Sequence, residues 1–210
     1  LWVLWTLKYY WAVVFFPTVV TTLIVDRIII PRINPPQYGA QLMIWLILFL
    51  VLCSGAMFAH PNFYPEYFLQ VIIDNNTAFN SMSESSNLIH YSNLQPTWTS
   101  IILNSPWALF SGLLRPFSWE GGSVIKTLYG IENLLILVLL SSSLKNATKI
   151  ISSQHRLVVF AVLIYAVVLC VFLSLSTPNF GTLARYRIGF LPFLIFVLAY
   201  RNPLLEKLLW

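Results

Sequence analysis

Two stretches, Ala40 to Ala59 (AQLMIWLILFLVLCSGAMFA) and Leu157 to Ser176 (LVVFAVLIYAVVLCVFLSLS), decide the fold. Each runs for 20 residues without a single charged side chain. A helix of that length rises about 30 Å, the thickness of a bilayer's hydrocarbon core. Both therefore read as transmembrane helices, and the rest of the chain is read relative to them. Tyr9 to Val25 forms a third span, with Leu1 to Lys8 extending it and Pro17 placed to kink it. A fourth covers about 123–141 and carries Lys126, Glu132 and Asn133. The fifth, about 185–200, has an apolar core of only 13 residues from Ile188 to Tyr200, so it crosses only if Gly181 to Arg187 adds a turn or two or if the bilayer thins locally.

Between the second and fourth spans lies an external segment, 60–122. Its first part is polar, with an apolar patch from Tyr67 to Ile73 suited to the interface. Thr97 to Leu114 is apolar but contains Asn104 and Pro106, and Trp98, Trp107 and Trp119 recur at headgroup-level spacing. That pattern predicts an interfacial or re-entrant helix, a form tolerated where irregular backbone faces protein or a water-filled cavity. The fold class that follows is an all-α integral membrane protein of about five transmembrane helices in one polytopic domain.

Composition agrees. Of 210 residues, 58% are hydrophobic, 16% aromatic and 9% charged, and the mean hydropathy is +0.77. Soluble domains carry about 25% charged residues. The net charge of +5 arises from 12 Lys and Arg scattered among lipid-length runs, which excludes a nucleic-acid partner. Cys53 and Cys170 both sit inside apolar runs and read as small hydrophobes. The chain opens on Leu1 within an apolar stretch and has no charged n-region. This predicts a segment of a longer protein with helices preceding it.

Cations sort by face. Arg27, Arg32, Lys145, Lys149, Arg156, Arg201 and Lys207 fall on one side, which the positive-inside rule makes cytoplasmic, together with loops 26–39 and 141–156 and the C-terminus. Most acids fall opposite: Glu66, Asp74, Glu84 and Glu120. Against that rule, Arg115, Arg185 and Arg187 lie on the outer face. Guanidinium forks match phosphate oxygens, so the three are candidates to hold a phosphate-bearing headgroup. The alternative is that they pair with Glu120, Glu132 or other acids, or snorkel to headgroups. On a helix, Arg185 and Arg187 diverge by about 200°, so sharing one ligand needs a turning backbone there.

Glu132 is the one acid within a predicted span. It must face protein or water, as a catalytic base, a cation partner or a packing group beside Asn133. Glu120 precedes Gly121, Gly122 and a helical stretch, where an acid complements the helix dipole. Its place beside Arg115 makes it the second catalytic candidate. Asp74-Asn75-Asn76 reads as a polar turn. His60, His90 and His155 lack metal-ligand spacing, and no nucleotide- or cofactor-binding fingerprint is present, so neither metal nor cofactor is implied.

The run Leu113-Leu114-Arg115-Pro116-Phe117-Ser118-Trp119-Glu120, then Ile131-Glu132-Asn133-Leu134, then Asn179 to Arg187 and Phe190-Leu191-Pro192-Phe193 resembles poorly characterised multi-pass membrane proteins of bacterial surface-polysaccharide loci. The resemblance covers roughly the last half of the chain. Its final element is also similar to the C-terminal part of GT-C type glycosyltransferases. The resemblance implies a bacterial inner-membrane protein acting on lipid-linked glycan precursors at the outer leaflet, as a polymerase or glycosyltransferase component. Its partners would be membrane lipids and a lipid-linked oligosaccharide. Two rival readings are a non-catalytic subunit packed on other membrane subunits, and a transporter for the same substrates.

Overall fold

The computed structural model describes residues 2–32, 38–120, 123–148, 153 and 155–209. It is all α-helical, as the apolar runs require. The helices are α1 (Trp2–Ile24), α2 (Tyr38–Ala56), α3 (Phe68–Met82), α4 (Trp98–Leu114), α5 (Val124–Leu144), α6 (Arg156–Ser176), α7 (Phe180–Tyr186), α8 (Leu191–Ala199) and α9 (Pro203–Leu209). Four segments are long and apolar enough to cross a membrane: Tyr9–Arg32, Tyr38–Ala59, Val124–Leu144 and Arg156–Ser176.

α6 is the central helix, with α1, α3, α4 and α8 packed around it. Leu169, Cys170 and Leu173 on α6 are almost wholly buried. Apolar side chains gain little by leaving lipid for each other, so helix contacts here depend on close packing and hydrogen bonds. The α4–α6 contact shows both. Ala108, Ser111 and Gly112 put a small-residue face on α4, and a Cβ at Gly112 would come within 2.6 Å of the Cys170 Sγ. Between α1 and α2, the fully buried Trp45 donates its indole N–H to the Thr22 hydroxyl at 3.0 Å and stacks on Phe49.

Four expectations are corrected. The first span does not stop at Val25: the helix continues as a π turn over Val25–Ile29 and a 3-10 turn over Ile30–Arg32. Asp26 and Arg27 therefore sit on helix, paired at 3.4 Å, and not in a loop. Asp74-Asn75-Asn76 is the middle of α3, where the buried Asn76 donates to the Leu175 carbonyl at 2.7 Å. That tertiary bond outweighs the local preference of Asn for turns. Glu120, expected to complement the dipole of the following helix, is instead engaged by Arg115 and the Phe117 N–H, and Ser123 caps α5, its hydroxyl accepting the Lys126 N–H. In place of a continuous fifth span there is a pair of helical segments, Phe180–Gly189 and Leu191–Ala199, bent by 65°. Residues 33–37 of the loop 26–39, Lys149 of the basic loop, and Gly121 and Gly122 lie outside the described residues.

The segment 60–120 packs over the Ser176 end of α6. The Tyr91 hydroxyl donates to the Ser174 carbonyl and the Ile89 N–H to the Pro178 carbonyl, both at 2.8 Å. Asn179 donates to the Ser83 hydroxyl at 2.9 Å. α4 lies within this segment as the single apolar helix foreseen there, 17 residues long.

Candidate functional site

The three quoted stretches meet at one point. α4 ends at Leu114, and the chain turns through Arg115 to Glu120 toward α5. Glu120 accepts from the Arg115 Nε at 2.9 Å and Nη2 at 2.7 Å, and from the Phe117 N–H at 2.9 Å. The Arg115 guanidinium is packed over the rings of Trp107 and Phe180, at 5.5 and 5.0 Å. Phe117 and Trp119 stack at 4.7 Å.

α5 lets this loop lie directly on its backbone. A Cβ at Gly130 would come within 2.5 Å of the Ser118 Cα and 2.7 Å of the Phe117 carbonyl carbon. One turn on, Asn133 is 1% exposed and donates to the Pro116 carbonyl at 2.8 Å. Its Oδ1 accepts from the Arg187 Nη1 at 2.7 Å, and the Arg187 Nη2 donates to the Arg115 carbonyl. Arg187 is 3% exposed. A buried guanidinium thus ties α4's exit, α5 and the end of α7 together, the role for which Arg's rigid fork of donors suits it.

Arg115, Glu120 and Arg187 are therefore brought together, but they are engaged with each other and with backbone. Burial works against ionising Glu120, yet the Arg115 hydrogen bonds, the Phe117 N–H and the Arg115 charge prevail and hold its carboxyl below the usual carboxylate range. A general base active near neutrality needs the opposite shift. Arg185 lies apart. On α7 it is exposed, and among the described residues its guanidinium reaches the Gly181 carbonyl and the Thr182 hydroxyl of its own helix, at 3.4 and 3.3 Å. Glu132 is exposed on α5, next in sequence to Asn133 but turned outward, on the face that carries Leu128 and Leu135.

The ionisation of Glu120 has a directional consequence. Because its carboxyl is more acidic when folded, the loop's stabilisation is full above the ordinary carboxylate range and is lost as pH falls through the folded value. Glu120→Gln should cost about 1.5–3 kcal/mol near neutral pH, typical of hydrogen bonds to a charged group. It should also flatten the acid limb of stability, measured by denaturant unfolding in micelles across pH. An acid limb unchanged in the variant would place the titrating group elsewhere.

A second feature was not foreseen from the sequence. At the Ser176 end of α6, a cavity of about 200 Å³ lies between α1, α3, α6 and α7, lined by Tyr9, Tyr10, Asn62, Asn75, Phe172 and Tyr186 among others. His60 stacks on Tyr9 at 3.9 Å, and Asn62 donates to the Tyr9 hydroxyl at 2.8 Å. Tyr10 and Tyr186 face each other with ring centroids 6.0 Å apart. Tyr186 belongs to the quoted Arg-Tyr-Arg run. Tyr9, Asn62 and Asn75 come from segments whose closeness no local pattern reveals. Aromatic walls with a few placed polar groups are the usual lining of a small-ligand site.

Among the described residues, no group of three His, Cys, Asp or Glu side chains could hold a metal ion. In comparisons with protein-family models, curated proteins and solved structures, the chain has no match.

Proposed function

We propose that this protein handles lipid-linked glycan precursors at the outer leaflet of a bacterial inner membrane, as a component of a polymerase or glycosyltransferase system. In this reading the Ser176 end of α6 is external, and loops 26–39 and 141–156 and the C-terminus are cytoplasmic. The observation that carries it is the aromatic cavity at that end. A sugar ring has apolar C–H faces and a hydroxyl rim. Tyr9, Tyr10 and Tyr186 offer faces, and Asn62 and Asn75 offer amides. At about 200 Å³ the cavity is smaller than drug-sized pockets of about 300–1,000 Å³, which suits one sugar and not an oligosaccharide. Arg185, exposed beside Tyr186, is the phosphate ligand in this scheme. Arg115 and Arg187 are positioning residues for the loop 115–120. Glu132 is the remaining candidate for an acid–base role.

A second reading, as a non-catalytic subunit of a larger membrane complex, is favoured by Glu132 itself. A carboxylate two turns into a span, on an outward apolar face, calls for a polar neighbour in an adjacent subunit.

One experiment separates the two. Purified protein in phosphatidylcholine nanodiscs is titrated with a polyprenyl-diphosphate-linked monosaccharide and read by native mass spectrometry. Tyr186→Ala and Arg185→Gln should each weaken binding about tenfold or more, the loss of roughly 1.4 kcal/mol. Polyprenyl phosphate without sugar should respond to Arg185→Gln and not to Tyr186→Ala. Binding that neither substitution alters, or no binding by the wild type, overturns the glycan reading.

A further inference from the structure

The Arg156 end of α6 carries a cavity of a different kind, lined on α6 by Arg156 to Leu163 where the aromatic one is lined by Phe172 to Ser176, a separation of roughly 20 Å along the helix. It is a groove of about 400 Å³ walled by α2, α5, α6 and α8. Along α6, Arg156, Val159, Phe160 and Leu163 line it in succession. This is one helical face, running about 10 Å inward from the arginine. The opposite walls are aliphatic, with Leu140 and Leu144 from α5. Of its two hydroxyl-bearing lining residues, Ser143 is engaged with the Leu139 and Leu198 carbonyls at 2.8 and 2.6 Å, and Tyr38 lies at the mouth beneath Arg156. The groove interior thus offers apolar surface along the helix axis and a cation at the mouth.

That cation is held in place. The Arg156 guanidinium lies 4.6 Å over the Tyr38 ring. Among the described residues its hydrogen bond is a long one, 3.4 Å to the Gln41 Oε1. The remaining donors of the fork are available to a bidentate acceptor. Among the described residues that line the groove Arg156 is the one charged group, and the segment from Ser141 to Arg156 contains no acid.

We infer that this groove is a binding site for an anionic phospholipid, with one acyl chain along the α6 face and the phosphate on Arg156. The charge complementarity selects an anionic headgroup, and the dry, axis-parallel interior selects a hydrocarbon chain. The site is independent of the aromatic cavity and of what that cavity binds.

The test uses the full chain in nanodiscs of phosphatidylcholine with or without phosphatidylglycerol, with native mass spectrometry counting retained lipids. The wild type should retain one phosphatidylglycerol in preference to phosphatidylcholine. Arg156→Gln should reduce that retention about tenfold to a hundredfold, as expected for lost charge-assisted hydrogen bonds. Arg156→Lys should restore part of it. Leu163→Trp, which fills the groove and leaves Arg156 unchanged, should abolish it. Ala147→Trp, on another wall, serves the same purpose should Leu163→Trp fail to fold. Equal retention of the two lipids, retention unaffected by Arg156→Gln, or replacement of phosphatidylglycerol by an added polyprenyl phosphate overturns the inference.

Discussion

Arg187→Ala should lower stability by about 2–6 kcal/mol, the cost of leaving two buried acceptors without their donor at about 1–3 kcal/mol each. The total for most domains is about 5–15 kcal/mol, so the variant would approach unfolding. Removing the guanidinium leaves the Asn133 Oδ1 and the Arg115 carbonyl without their donor. Asn133 is 1% exposed, so water cannot take over. Arg187→Lys should recover little, because one ammonium cannot reach two acceptors held in a planar fork. Arg185→Ala, two residues away and exposed, should stay within about 0.5 kcal/mol. Unfolding in mixed micelles, followed by near-UV circular dichroism, compares the pair. Equal losses at 185 and 187 would remove Arg187 from its central place.

Gly130→Ala should also be damaging, at about 1–3 kcal/mol, although Ala is the better helix former by about 1 kcal/mol. The added methyl would press on the Ser118 Cα and the Phe117 carbonyl carbon, both backbone atoms. Relief requires the loop to lift, which breaks the Asn133 bond to Pro116 and shifts Phe117 away from Glu120. Gly55 in α2 is the internal control, since a Cβ there meets nothing within 4 Å. Gly55→Ala should be neutral or stabilising by up to about 1 kcal/mol. The same unfolding assay reads both, and a Gly130→Ala protein as stable as wild type would mean the loop does not rest on α5.

The spans were legible in the sequence because a bilayer imposes a length and an apolarity on each helix. Three of the expected five, 40–59, 123–141 and 157–176, lie within a few residues of Tyr38–Ala59, Val124–Leu144 and Arg156–Ser176. The exception is α1, extended to Arg32 by π and 3-10 turns that no composition reveals. The bend in the fifth was hinted at only by its short apolar core. Within the candidate site, the sequence singled out Arg115, Glu120 and Arg187 as unusual, and they do meet. What it could not show is which partner each takes. Asn133 was visible only as a neighbour of Glu132. Yet helix phase turns Asn133 inward to the loop and Glu132 outward, and one residue of rotation exchanges their roles. Asn104 and Pro106 marked α4 as unfit to span, and Asn104 indeed donates to the Ser92 carbonyl at 3.2 Å. Tyr9, His60 and Tyr186 gave no signal as a group, because nothing local couples positions so far apart.

The bent fifth span bears on the order in which the protein is assembled. α8 has nine residues, about 13 Å of helix, less than half of the hydrocarbon thickness. The break before it would expose backbone to lipid if the segment entered alone. In the folded protein the Tyr165 hydroxyl donates to the Gly189 carbonyl. A Cβ at Gly189 would come within 2.7 Å of the Trp11 ring. Both of those neighbours, on α6 and α1, are made earlier by the ribosome. The break is thus backed by protein synthesised before it, and the bent pair rests on α1 and α6 where its own helices fall short of the bilayer's thickness.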